Sequence, residues 1–480
     1  MPTRADKAVP LHKYNAIADS CGDLRTVDRV SVQRIKTEYP FVSIFVATHN
    51  ESLVIDRLLK SFAALSYPKD RFEIIIVDDS TDDTYQKIQA KLSDLQNLKV
   101  FRRENRTGWK GGALNIALDA MDRRTSNVLV LDADNILLVD TIEKFVSLFI
   151  EEQRSYREKG LSVLAIQGFP ISKGKLDSDW EWGIKVDVGN WIARAIDFRL
   201  SQRNMIEFAA KHLLNLPIQI TGSLFMIRAD IIKSIKFSND LCEDWELTLD
   251  LYCLSRYSHL LSSPTGVITS NNITEPIRNH PPENIFSKPV TVSLKPIIIF
   301  NQRLVSYCES PTDFVAYFRQ RMRVSEGHTR GLRKKIKCIT QSKTLSFVGR
   351  MELLLNGLQY AKFIFILCNG IIDTILIATF LLGINNYSQQ LVNLFGISFI
   401  LQAANLAIFV ARITWAAKIC RPIRGYDIKD ILSLLALYIT STPAFVIGSL
   451  RGFLCNKGVF YRTPRNLPNE SKLSRTSAPS

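Results

Sequence analysis

Two aspartates, Asp132 and Asp134, close a run of four apolar residues, Val128-Leu129-Val130-Leu131. Hard carboxylate oxygens at that spacing can share one divalent cation whose remaining positions are filled by water and the oxygens of a diphosphate. Solvated acids ahead of a helix from Thr141 would look the same, so the tripeptide alone leaves both roles open. Three further groups could work beside it: Thr48-His49-Asn50-Glu51, Asp78-Asp79 and Lys110-Gly111-Gly112. Glycines with a lysine at a helix start let backbone amides and an ammonium approach phosphate oxygens, or simply make a tight turn. Neither G-x-x-x-x-G-K-[ST] nor G-x-G-x-x-G occurs, which sets aside P-loop ATPases and dinucleotide enzymes. Glu243-Asp244 stand before a helical pattern read over residues 246–254, either as its N-terminal acids or as working carboxylates.

The elements that must hold these groups follow from periodicity. Apolar runs at residues 41–47, 72–77, 100–102 and 128–131 read as strands, with helical patterns over 53–62 and 88–95 and after Gly108 between them. Regular alternation of this kind predicts a doubly wound α/β sheet, mostly parallel. Every group above follows a strand end, so all should share the carboxyl edge of the sheet, where such folds bind ligands. Another strand is expected at 163–167 and a long amphipathic helix over 191–214.

Composition bounds the rest. A chain of 480 residues, 46% hydrophobic, has room for more than one domain, and its formal charge of +15 suits phosphorylated substrates, anionic lipid or nucleic acid. The eight cysteines form no C-x-x-C pair, which points to core thiols in a reducing compartment. Residues 1–38 read as a polar arm with no cleavable signal peptide.

In order along the chain, F-V-S-I-F-V-A-T-H-N-E, V-D-D-S-T-D-D-T, N-R-T-G-W-K-G-G-A-L-N and D-A-D resemble the family-2 inverting glycosyltransferases of GT-A fold, most of all the membrane-bound cellulose synthase and glucomannan mannan synthase group. The resemblance implies a GT-A nucleotide-sugar-binding sheet over residues 39–337, in which strand-end loops grip a UDP- or GDP-hexose. It implies contacts from Thr48, Asn50, Glu51, Asp78, Asp79, Lys110 and Gly111, and Mg²⁺ or Mn²⁺ on Asp132 and Asp134. It places Gly222, in Ile220-Thr221-Gly222-Ser223, and Glu243 at the substrate, and makes Asp244 the base that deprotonates the acceptor hydroxyl. An inverting transfer asks for one such carboxylate behind the sugar, with cations on the leaving diphosphate. Phe318-Arg319-Gln320-Arg321-Met322-Arg323-Val324 resembles the family's Q-Q/R-x-R-W stretch, assigning Gln320, Arg321 and Arg323 to the diphosphate and the acceptor mouth. Val324 replaces the tryptophan whose ring supports the acceptor sugar in the family, a change that opposes processive elongation.

Residues 264–300 form a proline-rich insertion that excludes a regular helix. The basic run Arg330, Arg333, Lys334, Lys335 and Lys337 precedes strongly apolar segments, so its expected partner is anionic lipid and no nucleic acid is expected. Segments 363–383, 391–415 and 431–450 are each long enough to span a bilayer, within a region of interfacial and transmembrane helices over 338–455. Thr440-Ser441-Thr442-Pro443 predicts a break in the last, and 456–480 is a basic tail. Three spans put the C-terminus outside, whereas its charges and a likeness of Lys457–Arg465 to the family's cytosolic gating stretch put it inside, which leaves parity open. The expected molecule is a multi-pass integral membrane protein with its catalytic domain on the cytosolic side. It transfers a hexose to a polysaccharide, processively with translocation, or adds one sugar to a lipid-linked acceptor; a silent scaffold homologue would need none of the acids. Polar residues inside the spans (Asn369, Asp373, Asn393, Gln402, Asn405, Arg412) line a wet path or bond between helices.

Overall fold

A computed structural model describes residues 39–173, 190–253, 295–382, 389–456 and 458. The strands run β1 (Phe41–Thr48), β2 (Phe72–Asp78), β3 (Leu98–Arg102), β4 (Thr125–Asp132), β5 (Ile136–Leu137), β6 (Leu161–Lys173), β7 (Phe225–Arg228) and β8 (Lys295–Glu309). They form one sheet in the order β3-β2-β1-β4-β7-β6-β8-β5. Alternation along each strand fills two cores: Phe45, Ile75, Val128 and Val130 face one side, Ile44, Ile74, Leu129 and Leu131 the other. Helices α1 (Ile55–Ala63), α2 (Thr84–Gln89), α3 (Trp109–Ala120) and α4 (Thr141–Glu158) connect and cover the first half. Both faces being covered, the fold is the doubly wound α/β arrangement that the strand pattern predicts and that the resemblance implies to be of GT-A type.

Neighbours in β3-β2-β1-β4 pair parallel. Beyond them β7 lies antiparallel to β4 and β6, and β8 pairs parallel with β6. The parallel register sets Thr48 opposite Asp78, Ala47 opposite Asp132 and Asp78 opposite Arg102, so the motif residues end on one line. Part of the predicted insertion is strand: Lys295 to Phe300 open β8, with Pro296 near its start, where a missing N–H is tolerated. The arm 1–38, most of the insertion and the tail beyond 458 lie outside the described residues.

The long predicted helix is three pieces: α5 (Trp191–Gln202), a π-helical turn (Arg203–Phe208) and α6 (Ala209–Leu213). Such a π turn recurs at functional sites. After α7 (Ala229–Ile235), helix α8 (Glu243–Tyr252) begins three residues earlier than expected, taking Glu243 and Asp244 into its first turn. Then come α9 (Phe314–Gln341), α10 (Phe347–Gly357), α11 (Lys362–Leu381), α12 (Gln389–Arg424) and α13 (Ile428–Leu454). The last three are long and apolar enough to cross a membrane. Helix α10 exposes Phe347, Val348, Met351 and Leu355, as an interfacial helix does.

Helix α13 is unbroken and carries Pro443 inside it, contrary to the predicted break. Hydroxyls beside the proline take up backbone carbonyls: Thr442 Oγ1 donates to Tyr438 O at 3.0 Å and Thr440 Oγ1 to Ala436 O at 2.8 Å. Packing completes the hold. A Cβ at Gly448 would fall 1.9 Å from Ser325 Oγ and one at Gly452 2.7 Å from Glu326 O, so α9 and α13 touch through backbone. Between α11 and α12 the polar residues bond to one another, Gln402 Nε2 donating to Asp373 Oδ2 at 2.6 Å.

Three of the five residues of the basic run, Arg330, Lys334 and Lys335, form ion pairs with acids on and before α8. Arg330 is fully buried on Glu326 and Asp240, Lys334 meets Asp240 and Glu246, and Lys335 meets Asp250, because α9 packs along the acidic face of α8. Glu326, also fully buried, holds Arg451 of α13 at 3.0 Å. Removing one member of such a group leaves an uncompensated buried charge, at a cost of about 3 kcal/mol or more. Glu326→Gln is therefore expected to lower the detergent-solubilised protein's unfolding midpoint by several degrees in a thermal melt, with an unchanged midpoint as the contrary result.

Candidate active site

One cleft of about 1470 Å³ runs along the carboxyl edge of the parallel strands and on to the candidate membrane helices. Twelve of the predicted site residues line it: Thr48, Glu51, Asp79, Lys110, Asp132, Asp134, Gly222, Glu243, Asp244, Gln320, Arg321 and Arg323. Asn50, Asp78 and Gly111 are placed behind that lining, each for a visible reason. Asp78 is fully buried and accepts from Thr48 Oγ1 (2.7 Å), Ser80 Oγ (2.6 Å) and Arg102 Nη1 (3.2 Å), which fixes the strand ends. Asn50, at φ 56°, accepts from Thr81 N at 2.6 Å and ties together the loops after β1 and β2. A Cβ on Gly111 would lie 1.8 Å from Ser238 O, so this glycine lets α3 approach the loop before α8.

At the end of the cleft near β2, Asp79 is gripped by the Arg103 guanidinium, with Nε at 2.6 Å, and Arg106 adds a second cation at 3.6 Å. The Arg106 guanidinium also lies 5.6 Å from the Trp109 ring centre. In mid-cleft Lys110 is the hub. Its Nζ donates to Asp132 Oδ1 at 2.5 Å and to Gly222 O at 2.6 Å, and stands 3.4 Å from Glu243. Burial opposes the ammonium, but Asp132 and Glu243 outweigh it and hold its pKa above the usual lysine range. The turn after β4 is secured from beneath: Ser223 Oγ accepts from Asp132 N and from Asn135 Nδ2, both at 2.9 Å, and Asn135 Oδ1 accepts from Ser306 at 2.6 Å. Ser223, Asn135 and Arg103 are positioning residues that no spacing rule would single out, because they act through partners remote in the chain.

Asp244 opens α8 and is anchored by it. Its Oδ1 accepts from Trp245 N at 2.8 Å, and its main-chain carbonyl accepts from Thr248. Trp245, fully buried, stacks on His328 of α9 at 4.8 Å with only 5° between the rings. Gly222, at φ 80°, passes beneath the carboxylate, where a Cβ would come within 3.1 Å of Oδ2. Burial first, then the neighbouring Glu243, push the Asp244 carboxyl up to about 7, against the pull of Lys110. A carboxylate so raised is suited to taking a proton near neutral pH.

Asp132 and Asp134 stand on the turn after β4 with an open cleft before them. The Asp132 side chain is half exposed and already holds one cation, the Lys110 ammonium. Two hard carboxylates with room for water and phosphate oxygens fit Mg²⁺ or Mn²⁺; no larger cluster of metal-ligating side chains occurs among the described residues. Val324 lines the cleft without bringing an aromatic ring to it, and its carbonyl lies 3.8 Å from Cys242 Sγ.

Residues 43–156 match the family model of glycosyl transferase family 2. That stretch contains Asp78, Asp79, Lys110, Asp132 and Asp134, and stops short of Asp244. Beta-monoglucosyldiacylglycerol synthase of a Nostoc species is 38% identical over 123 residues, covering 25% of this chain and 26% of that protein. The chain thus matches about a quarter of that relative's length. A probable glycosyltransferase of Sulfolobus acidocaldarius is 25% identical over 92% of this chain and 80% of its own. Among solved structures, a mannosyltransferase of Pyrobaculum calidifontis in complex with GDP-Man and Mn²⁺ is 15% identical, covers 93% of this chain and 99% of its own, and has a TM-score of 0.49.

Proposed function

We propose that this protein is a multi-pass membrane glycosyltransferase of family 2 that moves a hexose, with inversion, from a UDP- or GDP-sugar to a hydroxyl presented in the cleft. The observation that carries the reading is the convergence of Asp132, Lys110, Glu243 and Asp244 in mid-cleft, on elements contributed by both halves of the sheet. In this reading Asp79 and its neighbours take the nucleoside end, and Lys110 meets the diphosphate. Asp132 and Asp134 would hold a divalent ion, which when bound supplies charge to the leaving diphosphate. Asp244 takes the acceptor proton as the hydroxyl oxygen attacks the anomeric carbon from the side opposite the leaving group. Its anchoring by Trp245, and through it by His328, holds the carboxylate in place without movement during reaction.

The acceptor side is favoured by the same cleft, which reaches Lys362 and Phe363 of α11, Arg412 and Trp415 of α12 and Tyr438 of α13. An acceptor carried in the membrane, lipid-linked or a growing polysaccharide, would enter there. The sequence Asn385-Asn386-Tyr387-Ser388, between the first two apolar segments, contains no cation, which supports a cytosolic catalytic domain. Purified full chain is expected to hydrolyse UDP-glucose or GDP-mannose slowly in Mn²⁺ or Mg²⁺ without added acceptor. A panel of nucleotide sugars left intact under these conditions would overturn the reading. Mass analysis of products from sealed vesicles separates one added sugar from a ladder of lengths.

The base should also leave a mark on the pH profile. Below about pH 7 the free protein's Asp244 is protonated, so kcat/KM is expected to fall toward tenfold per pH unit. Glu243→Gln removes a charge that raises the Asp244 pKa and frees Lys110 from a second carboxylate; both effects lower the pKa. The acidic limb should therefore move to lower pH, and a limb that stays or rises would contradict the assignment.

A further inference from the structure

The membrane-side end of the cleft collects cations beyond Lys110, among them Arg321, which the resemblance assigns to the diphosphate or the acceptor mouth. Arg199 on α5, Arg203 on the π turn, Arg321 on α9, Lys362 at the start of α11 and Arg412 on α12 all line it. None of the five forms an ion pair among the described residues. Each lies on an aromatic ring instead: Arg199 on Tyr438 at 5.9 Å, Arg203 on Phe208 at 5.4 Å, Arg321 on Tyr317 at 5.2 Å, Lys362 on Phe363 at 5.6 Å and Arg412 on Phe409 at 5.8 Å. Ring faces steady a cation without using its N–H groups; Arg321 Nη2 donates to neutral Gln320 Oε1 at 3.0 Å and Arg199 Nη2 to the Tyr360 hydroxyl at 3.4 Å. Arg203 Nε and Arg321 Nε are buried with no hydrogen-bond partner. The two nearby carboxylates, Glu207 and Glu352, are both engaged by Lys211, at 2.5 and 2.8 Å.

Five gathered cations without carboxylates repel one another, and a neutral sugar chain would give nothing to offset that repulsion. A dianion with several acceptor oxygens would. The donor diphosphate would already have Lys110 and the divalent ion that Asp132 and Asp134 would hold at mid-cleft, so Arg199, Arg203, Lys362 and Arg412 are surplus to it. Two of the five cations stand on candidate membrane helices, and the aromatic groups Phe363, Trp415 and Tyr438 line the same mouth. The field of the cluster is felt next door: burial, then Arg321, Arg199 and Arg203, drive the His328 pKa down to about 3, so that ring is neutral.

We propose that Arg199, Arg203, Arg321, Lys362 and Arg412 form a phosphate-binding subsite that seats a lipid-borne phosphomonoester, the acceptor of the transfer, with its chain lying along α11 to α13. The acceptor role rests on the function proposed above; the binding site does not. The test accordingly uses the full chain in phosphatidylcholine nanodiscs without nucleotide sugar, and measures binding of farnesyl phosphate, farnesol and inorganic phosphate. Farnesyl phosphate should bind at least about tenfold more tightly than either of the others, since only it joins the charge to the apolar chain. Arg203→Gln should weaken it about tenfold or more, and Arg203→Lys should recover part of the loss. If Arg203→Gln does not fold, Lys362→Gln at the exposed rim should show the same direction of change. Equal binding of farnesol, or unchanged affinity in folded Arg203→Gln and Lys362→Gln proteins, would overturn the subsite. Inorganic phosphate binding as tightly as farnesyl phosphate would overturn the lipid source. Failure of the unmodified chain to turn over any nucleotide sugar would strike the proposed function and leave this binding result standing.

Discussion

Asp244→Asn protein is expected to bind nucleotide and divalent metal normally and to lose transfer by a factor of ~10² to 10⁴, the usual contribution of a positioned general base. Asparagine keeps the shape of the side chain and can still accept the Trp245 N–H at the start of α8, so the site should remain assembled. What it cannot do is take a proton. Because burial and Glu243 already disfavour the charged carboxylate, its removal should leave thermal stability equal or higher. Steady-state kinetics in reconstituted membranes, with nucleotide binding by calorimetry and a thermal melt, separate these outcomes. Turnover at the unmodified rate would remove Asp244 from the mechanism.

The second large effect is expected at Asp132 and Asp134, the carboxylates to which the proposal assigns the metal. Asp134→Ala should abolish Mn²⁺ dependence and lower donor turnover by roughly 10² or more, since a bound cation supplies several kcal/mol of charge stabilisation to a leaving phosphate. Asp132→Asn should behave similarly without unfolding the site, because Lys110 keeps Gly222 O at 2.6 Å and Glu243 at 3.4 Å as partners. Electron paramagnetic resonance of Mn²⁺ titrated into nucleotide-bound protein reads the metal directly. Manganese bound as tightly by Asp134→Ala as by the unmodified chain would assign the two aspartates to some other task.

Asp132 and Asp244 differ in how they could be found from sequence. Asp132 ends an apolar run, and a run of four Val and Leu residues has few other readings than a buried strand, so its place on the sheet edge is local information. Asp244 lies where local pattern is ambiguous, in the first turn of a helix, a position acids occupy for purely electrostatic reasons. A resemblance to known transferases suggested its role; its pairing with Glu243 and Lys110 in space shows why its proton affinity is unusual. The glycines at 111 and 112 show the opposite case. Their composition suggested a phosphate cradle, whereas a Cβ on either would collide with backbone, at Ser238 O or Thr107 O.

Strand periodicity, strand-helix alternation and the length of apolar segments are properties of short stretches, and they determined the parallel half of the sheet, the shared edge of its acids and the three long apolar helices. Pairings between distant segments carry no such local signature. Tertiary structure alone decided that β7 turns antiparallel, that Pro443 stays helical against α9, and that Lys334 and Lys335 pair with acids of α8. It also decided that Arg199, Arg321 and Arg412 line one cleft, three cations from three helices that each look like an ordinary polar position until packing brings those helices together.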